Sequence, residues 1–344
     1  MLSKNSIEYS NDTQKIMRIL QFYGLEPSEI LGVQKGYRNE SHPVKLRDGT
    51  IRNLVLYKTE PGIVQSIRRI HAISRFLVSS GLPIRCPVDE RIVCLKSDRF
   101  EKYGALYTYL PGMTISWDAY TQKHIKLLGK TMSDMHVAMR PFDSTMLPDA
   151  VDQYLALLER VRAYFATQSV SNAVEDKLHL QVDPHAFPAA RMVLHACRLL
   201  PDKQALHMDF VRGNILFDDS SGEVNVSGIL DFEKVACGHP LFDISRTLAF
   251  LLVDCKYKSD VKIRKYFLHS GYNKYGMTPF RDVSVVTRTD HFSVLEGLLS
   301  MFLLYDFYKF LRHNPYESLL QNEHFIRTRD LLIERGCILD GHLL

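Results

Sequence analysis

Apolar positions recur along this chain with two different periods, and the change between them falls near residue 112. The stretch "DTQKIMRILQFYG" reads as an opening helix. In the following "ILGVQKGYRNESHPVKLRDGTIRNLVLYKT", Asp48-Gly49 separates two strand-like runs, the signature of a β-hairpin. "IVQSIRRIHAISRFLVSSGLP" aligns Ile63, Ile67, Ile70, Ile73 or Ser74 and Leu77 on one helical face, with Gly81 and Pro83 to end it. Two more strand-like runs, "RIVCL" and "ALYTYL", close at Pro111-Gly112. These elements predict a small antiparallel sheet with one helix, a lobe spanning residues 1–112.

The remaining residues, 113–344, read as a larger and mainly helical lobe. "HIKLLGKTMSDMHVAM" places Ile125, Leu128, Met132, Met135 and Met139 on one stripe. "DQYLALLERVRAYF" and "FSVLEGLLSMFLLYDFYKFLR" repeat the pattern, the second apolar enough to lie deep in a core. Two strand-like segments, "ALHMDFVRGNILFDD" and "VNVSGIL", interrupt the helices. The fold class expected is therefore α+β with two lobes.

Composition narrows the partners. At 344 residues the chain exceeds one small core. Its net charge of +4 neither demands nor excludes an anionic ligand, and no basic run suggests nucleic acid. The six cysteines show no metal-binding spacing and read as reduced thiols. The N-terminus lacks the apolar centre of a signal peptide, and the longest apolar run, "LAFLLV", is far short of the ~20 residues of a membrane span. A cytoplasmic protein without membrane insertion is expected; the oligomeric state stays open.

The chemistry concentrates in His207, Asp209 and Asn214, an HxDxxxxN pattern between apolar runs. The strand "NILF", the turn "DDSSGEVN" and the strand "VSGIL" should form a hairpin that brings Asp231 back towards Asn214. A carboxylate and a carboxamide make a hard, oxygen-only donor set suited to Mg²⁺ on phosphate oxygens. Asp209 beside that metal could accept a proton from an incoming hydroxyl. Positioning and charge neutralisation of this kind are what phosphoryl transfer needs.

The segment "LHMDFVRGNILFD…VSGILDFEKVACGHPLFDISRTLAF" resembles the catalytic segment of the aminoglycoside phosphotransferase and choline kinase family, the small-molecule branch of the protein-kinase-like fold. The resemblance implies ATP and Mg²⁺ as cofactors, with Asp209 as the catalytic aspartate and Asn214 and Asp231 as metal ligands. It implies that Asp243 is the buried aspartate supporting the catalytic loop. "GYRNESHPV" resembles the nucleotide loop, with Gly36 and Asn39 in register. "LVLYKT" resembles the third strand, so Lys58 would contact the α and β phosphates. "YTYLPG" resembles the inter-lobe hinge, so the backbone from Leu106 to Tyr109, including Tyr107, would meet the adenine. The likeness runs over residues 30–275.

Three positions depart from the family wording. Lys35 replaces the first glycine of the nucleotide loop, and Met208 the glycine of the catalytic loop. The helix at 63–78 should carry a glutamate for Lys58, yet Ile70 and His71 stand near its place.

Around the motif, His207 reads as a brace for the loop, Glu233 as a contact to the metal's surroundings or to substrate, and His136 and Trp117 as packing residues. Eleven residues separate Asp231 from Asp243, too few for the activation segment of a protein kinase. The function expected is transfer of a γ-phosphoryl group to the hydroxyl of a small molecule: an aminoglycoside, choline or ethanolamine, homoserine or a sugar. A cationic acceptor would need carboxylates, for which Glu159, Asp254, Asp260, Glu296 and Asp306 are the candidates. The rival reading is a catalytically impaired, nucleotide-binding scaffold, suggested by the missing glutamate.

Overall fold

Residues 11–32, 34–35, 39–97, 100–220, 222–274 and 285–341 are described by the computed structural model. They group into two units, Met1–Pro111 with Gly228–Glu233, and Gly112–Ser227 with Lys234–Leu344.

In the first unit the chain runs α1 (Asn11–Phe22), β1 (Pro27–Ile30), β2 (Gln34–Lys35), β3 (Glu40–Leu46), β4 (Ile51–Tyr57), α2 (Ile63–Ser79), β5 (Val93–Ser97) and β6 (Phe100–Thr108). The strands form one antiparallel sheet in the order β1-β3-β4-β6-β5, with β2 on β3. The β3–β4 turn follows from Asp48-Gly49: Gly49 adopts φ 85° and the Asp48 carboxylate accepts from the Thr50 amide at 2.8 Å. Ile16, Ile19 and Leu20 of α1 pack on Val44, Leu54 and Leu106 of the sheet, all nearly fully buried. Each such side chain contributes roughly 1.5–3 kcal/mol. The predicted face of α2 is buried as expected, with both Ile73 and Ser74 on it, and His71 joins them. The last strand begins at Phe100 rather than at Ala105, because its polar first half pairs with β5 at the sheet's edge.

The second unit is mainly helical. It contains α3 (Gln122–Met139), α4 (Ala150–Phe165), α5 (Gln168–Leu178), β7 (Leu180–Val182), α6 (Ala186–Leu199), β8 (Gln204–Leu206), β9 (Ile215–Asp218), β10 (Asn225–Ile229, which runs on into the first unit), β11 (Ala236–Gly238), α7 (Leu241–Asp254), α8 (Asp260–Arg264), α9 (Val285–His313), α10 (Tyr316–Leu319), α11 (Glu323–Glu334) and β12 (Ile338–Asp340). Three two-stranded ribbons, β8 with β11, β9 with β10 and β7 with β12, sit among the helices. Helices α7 and α9 pack together at the centre, where Leu248, Leu252, Leu298 and Phe302 are wholly buried. The α3 stripe is buried in full, and the Thr121 hydroxyl with the His124 ring closes a capping box at its start. Among the described residues no helix is long and apolar enough to cross a membrane.

Candidate active site

The loop that carries Asp209 leaves β8, whose last residue, Leu206, pairs with Ala236 of β11. Asp243, fully buried in the first turn of α7, holds that loop from beneath. Its carboxylate accepts from the backbone amides of His207 at 2.9 Å and Met208 at 2.6 Å, and from His136 Nε2 at 3.0 Å. Three donors compensate the cost of taking this charge out of water. His136 Nδ1 in turn lies 2.7 Å from the Tyr272 hydroxyl. The residue read from sequence as packing is thus buried, and it is also the middle of a polar chain.

Met208 adopts φ 63°, the left-handed conformation that suits the family's glycine. Its side chain is buried and its amide is fixed by Asp243, so packing and a charge-assisted hydrogen bond hold a backbone shape that costs about 1 kcal/mol or more. The next amide, of Asp209, donates to His207 Nδ1 at 3.2 Å. His207 also meets Phe210 edge to face, and the Phe210 carbonyl accepts from Thr247 on α7 at 2.7 Å.

Above this base the Asp209 carboxylate is largely buried, and its Oδ2 sits 2.8 Å from Lys234 Nζ. Asn214, at the end of a short 3₁₀ turn, donates its side-chain amide to the Asp209 carbonyl at 2.9 Å and to Oδ2 at 3.4 Å. Burial favours the neutral acid, but Lys234 and Arg246 outweigh it and hold the Asp209 carboxyl below the usual aspartate range. With its amide nitrogen so used, Asn214 keeps its Oδ1 as the end a hard cation would take.

Arg246 of α7 and Lys309 of α9 both pair with Asp306, each at 2.6 Å. Lys309 also lies over the Tyr305 ring at 4.8 Å. Burial alone would neutralise Asp306; Arg246 and Lys309 keep it ionised, its carboxyl below the ordinary value. Sequence reading missed Lys234, Arg246 and Lys309. Lys234 stands three residues after Asp231 and Arg246 three after Asp243, but a lysine or arginine at such a place reads as a solvated side chain.

In the first unit, β10 is anchored where the Ile229 amide donates to the Pro83 carbonyl at 2.8 Å. Asp231 follows with φ 61°, and its Oδ1 accepts from the Glu233 amide at 3.2 Å. The Glu233 carboxylate accepts from the Asn39 side chain, whose Oδ1 accepts from the Lys58 amide at 3.3 Å. Asn39, Lys58 and the Asp231–Glu233 turn are thus connected. Lys58 is exposed, one residue beyond β4, and among the described residues no carboxylate pairs with its ammonium. Gly36 lies outside the described residues.

Where a glutamate was expected on α2, His71 is fully buried and its Nε2 lies 3.1 Å from the Tyr107 hydroxyl. That hydroxyl is 2.5 Å from the Tyr57 hydroxyl, and Arg85 covers the Tyr107 ring at 5.0 Å. Burial pushes the His71 pKa down, against the pull of Glu90, 3.5 Å from Nδ1. The place holds a neutral imidazole facing tyrosines. Along β6, the Leu106 carbonyl accepts from Val88 and the Thr108 amide donates to Cys86, both at 2.8 Å, while Tyr107 pairs with Asn53. Tyr109 is the first residue past this ladder, and its peptide groups bond to no described residue.

The five carboxylates singled out for a cationic acceptor are all engaged within the chain. Glu159 pairs with Arg162 and Arg191, and Asp254 with Arg212 and His324. Asp260 pairs with Arg327, Glu296 with Arg264 and Arg335, and Asp306 with Arg246 and Lys309.

Residues 30–257 match the model of the family described as "Phosphotransferase enzyme family". Among solved structures, an amicoumacin kinase in complex with AMP-PNP, Ca²⁺ and Ami superposes with a TM-score of 0.66 at 13% identity, covering 93% of this chain and 96% of its own. A microcompartment-associated aminopropanol kinase gives 0.60 at 13%, covering 92% and 94%. Macrolide 2′-phosphotransferase from Brachybacterium faecium gives 0.58 at 14%, covering 88% and 92%. At these identities the likeness is one of fold, the two-lobed α+β kinase-like architecture. No curated protein sequence matches the chain.

Proposed function

The chain belongs to the phosphotransferase enzyme family, and from that premise we propose that it moves the γ-phosphoryl group of ATP to the hydroxyl of a small molecule, with Mg²⁺. The observation that carries this reading is the Asp209 carboxylate, fixed by Lys234 and Asn214 above a loop pinned by Asp243. Asp209 Oδ1 takes part in neither contact and is the oxygen that would accept the acceptor's proton. A carboxylate held below its usual pKa is a weak base, so Asp209 acts chiefly by orienting the hydroxyl and takes the proton late.

The donor chemistry fits a hard divalent cation: the carboxylate of Asp231 and Oδ1 of Asn214 are both oxygen ligands. Mg²⁺ there would supply charge neutralisation on the phosphate oxygens. In the same reading residues 1–112 form the nucleotide-binding lobe and residues 113–344 the catalytic and acceptor-binding lobe. Lys58, set by Asn39, would meet the phosphates together with the Gly36 loop. Adenine would pack against the strand of Tyr107 and bond at Tyr109, since the Leu106 carbonyl and the Thr108 amide are already taken.

A second reading, a nucleotide-binding scaffold with impaired catalysis, is favoured by one observation: His71 is turned to Tyr107 and no described carboxylate pairs with Lys58. ATP hydrolysis and a phosphorylation screen, run on the wild type and Asp209→Asn, test both. Phosphorylated product that disappears in Asp209→Asn supports the enzyme. Nucleotide binding with equal turnover in the two proteins, or none in either, supports the scaffold.

A further inference from the structure

In the second unit, Asp209 and Asp306 together are paired by three cations. Lys234, Arg246 and Lys309 supply three cations; Asp209 and Asp306 supply two carboxylates, and both are paired by those same cations. The side chains of Lys234 and Lys309 are 49% and 40% exposed, whereas that of Arg246 is 12% exposed. Both lysine side chains thus reach the surface, each with its ammonium held on a carboxylate, whereas the guanidinium lies inside. Burial presses the Lys309 pKa below its ordinary value, and against the pull of Asp306 the neighbouring Arg246 and Lys234 press it further. These five side chains sum to one positive charge. Meanwhile each of the five carboxylates named for a cationic acceptor already pairs with an arginine, lysine or histidine of the chain itself. A polyamine or quaternary ammonium would have to displace those partners and expose their charge, which costs binding free energy.

We propose that the acceptor bears an oxyanion, a carboxylate or a phosphate monoester, beside its reacting hydroxyl, and that Lys309 and Lys234 bind that oxyanion in front of Arg246. This inference rests on the phosphotransferase reading and names the class of its acceptor. In the reaction the acceptor hydroxyl oxygen forms a bond to the γ phosphorus, and the bond from that phosphorus to the β–γ bridging oxygen breaks. ADP leaves with the electron pair, and the hydroxyl proton passes to Asp209. The oxyanion itself is unchanged.

The test is an ATP/Mg²⁺ phosphorylation assay on the full chain with matched acceptors. D-glycerate and gluconate carry a carboxylate, glycerol phosphate a phosphate, glycerol and methyl glycerate no charge, and choline, ethanolamine and kanamycin a positive one. The expected result is a kcat/KM for an oxyanion-bearing acceptor at least about tenfold above its uncharged counterpart, the effect of one charge-assisted hydrogen bond. The carboxylate and phosphate arms show which oxyanion is preferred. Lys309→Met should remove most of that advantage through acceptor KM rather than ATP KM, and Lys309→Arg should restore it. Preference for the cationic acceptors, indifference to charge, or an advantage that survives Lys309→Met would overturn the inference. Calorimetry with Mg·ATP separates the two levels. If the nucleotide does not bind, the phosphotransferase reading falls too. If it binds and is hydrolysed in an Asp209-dependent way while no oxyanion-bearing acceptor is phosphorylated, only the acceptor class is wrong.

Discussion

Lys234 Nζ lies 2.8 Å from Asp209 Oδ2, so the proposed catalytic carboxylate is an ion-paired one. Lys234, with Arg246, holds the Asp209 pKa down against burial. Lys234→Met should therefore raise that pKa and move the acid limb of the kcat–pH profile to higher pH. It should lower kcat about tenfold, the scale of one charge-assisted contact. The sign for stability is fixed as well. A depressed carboxylate stabilises the fold above its unfolded pKa, and that contribution fades as pH falls through the folded value. Urea unfolding below pH 4 should thus show a smaller acid loss in Lys234→Met than in the wild type; parallel curves would contradict it.

Asp243 accepts three hydrogen bonds while wholly buried. Replacing it by alanine leaves two backbone amides and the His136 imidazole without an acceptor, a loss of about 3–5 kcal/mol by analogy with one-sided removal of a buried pair. Denaturant unfolding checks this, and a loss below about 1 kcal/mol would show that the loop does not depend on Asp243.

Restoring a glutamate on α2 should fail. His71→Glu would bury a carboxylate 3–4 Å from Glu90 and facing the paired hydroxyls of Tyr107 and Tyr57. The expectation is a fall in Tm equivalent to about 2 kcal/mol or more, with no gain in ATP affinity. His71→Gln, which can still bond Tyr107, should lose much less. A His71→Glu protein that binds ATP more tightly would show that the site tolerates the family's arrangement.

Gly112 marks the start of the second unit with φ 111°, and a Cβ there would come within 2.8 Å of the Phe217 carbonyl. Gly112→Ala should destabilise the protein by about 2 kcal/mol or more, through the strained φ and the displaced backbone together. A Tm within a degree of the wild type would show that this turn adapts.

Much of this molecule could be read before any coordinates. The Asp48-Gly49 hairpin and the α3 stripe were legible because a turn that needs φ above zero and a helix that must bury one face each leave a local mark. His207 as a brace followed from its place before the loop, and its Nδ1 does accept from the Asp209 amide. What escaped the sequence is what depends on the surroundings. Lys234, Arg246 and Lys309 look like ordinary charged residues on helices or turns until packing shows which carboxylate each one faces. His136 sits on an apolar stripe and so reads as filler; only Asp243, 107 residues further along, makes it polar machinery. The occupation of the Leu106 and Thr108 backbone by residues 86–88 came from an irregular, proline-containing stretch that carries no period at all.

The bracing of Asp209 has a kinetic corollary. Asp243, His136, His207 and Thr247 all belong to the second unit, as do the loop they hold and the apolar core beneath it. Order in that loop is thus an intrinsic property of the second unit and is not lent to it by a bound nucleotide. The amide protons of His207 and Met208, donated to a carboxylate with no solvent access, should exchange with deuterium only through large-scale opening of the second unit, and slowly even without nucleotide.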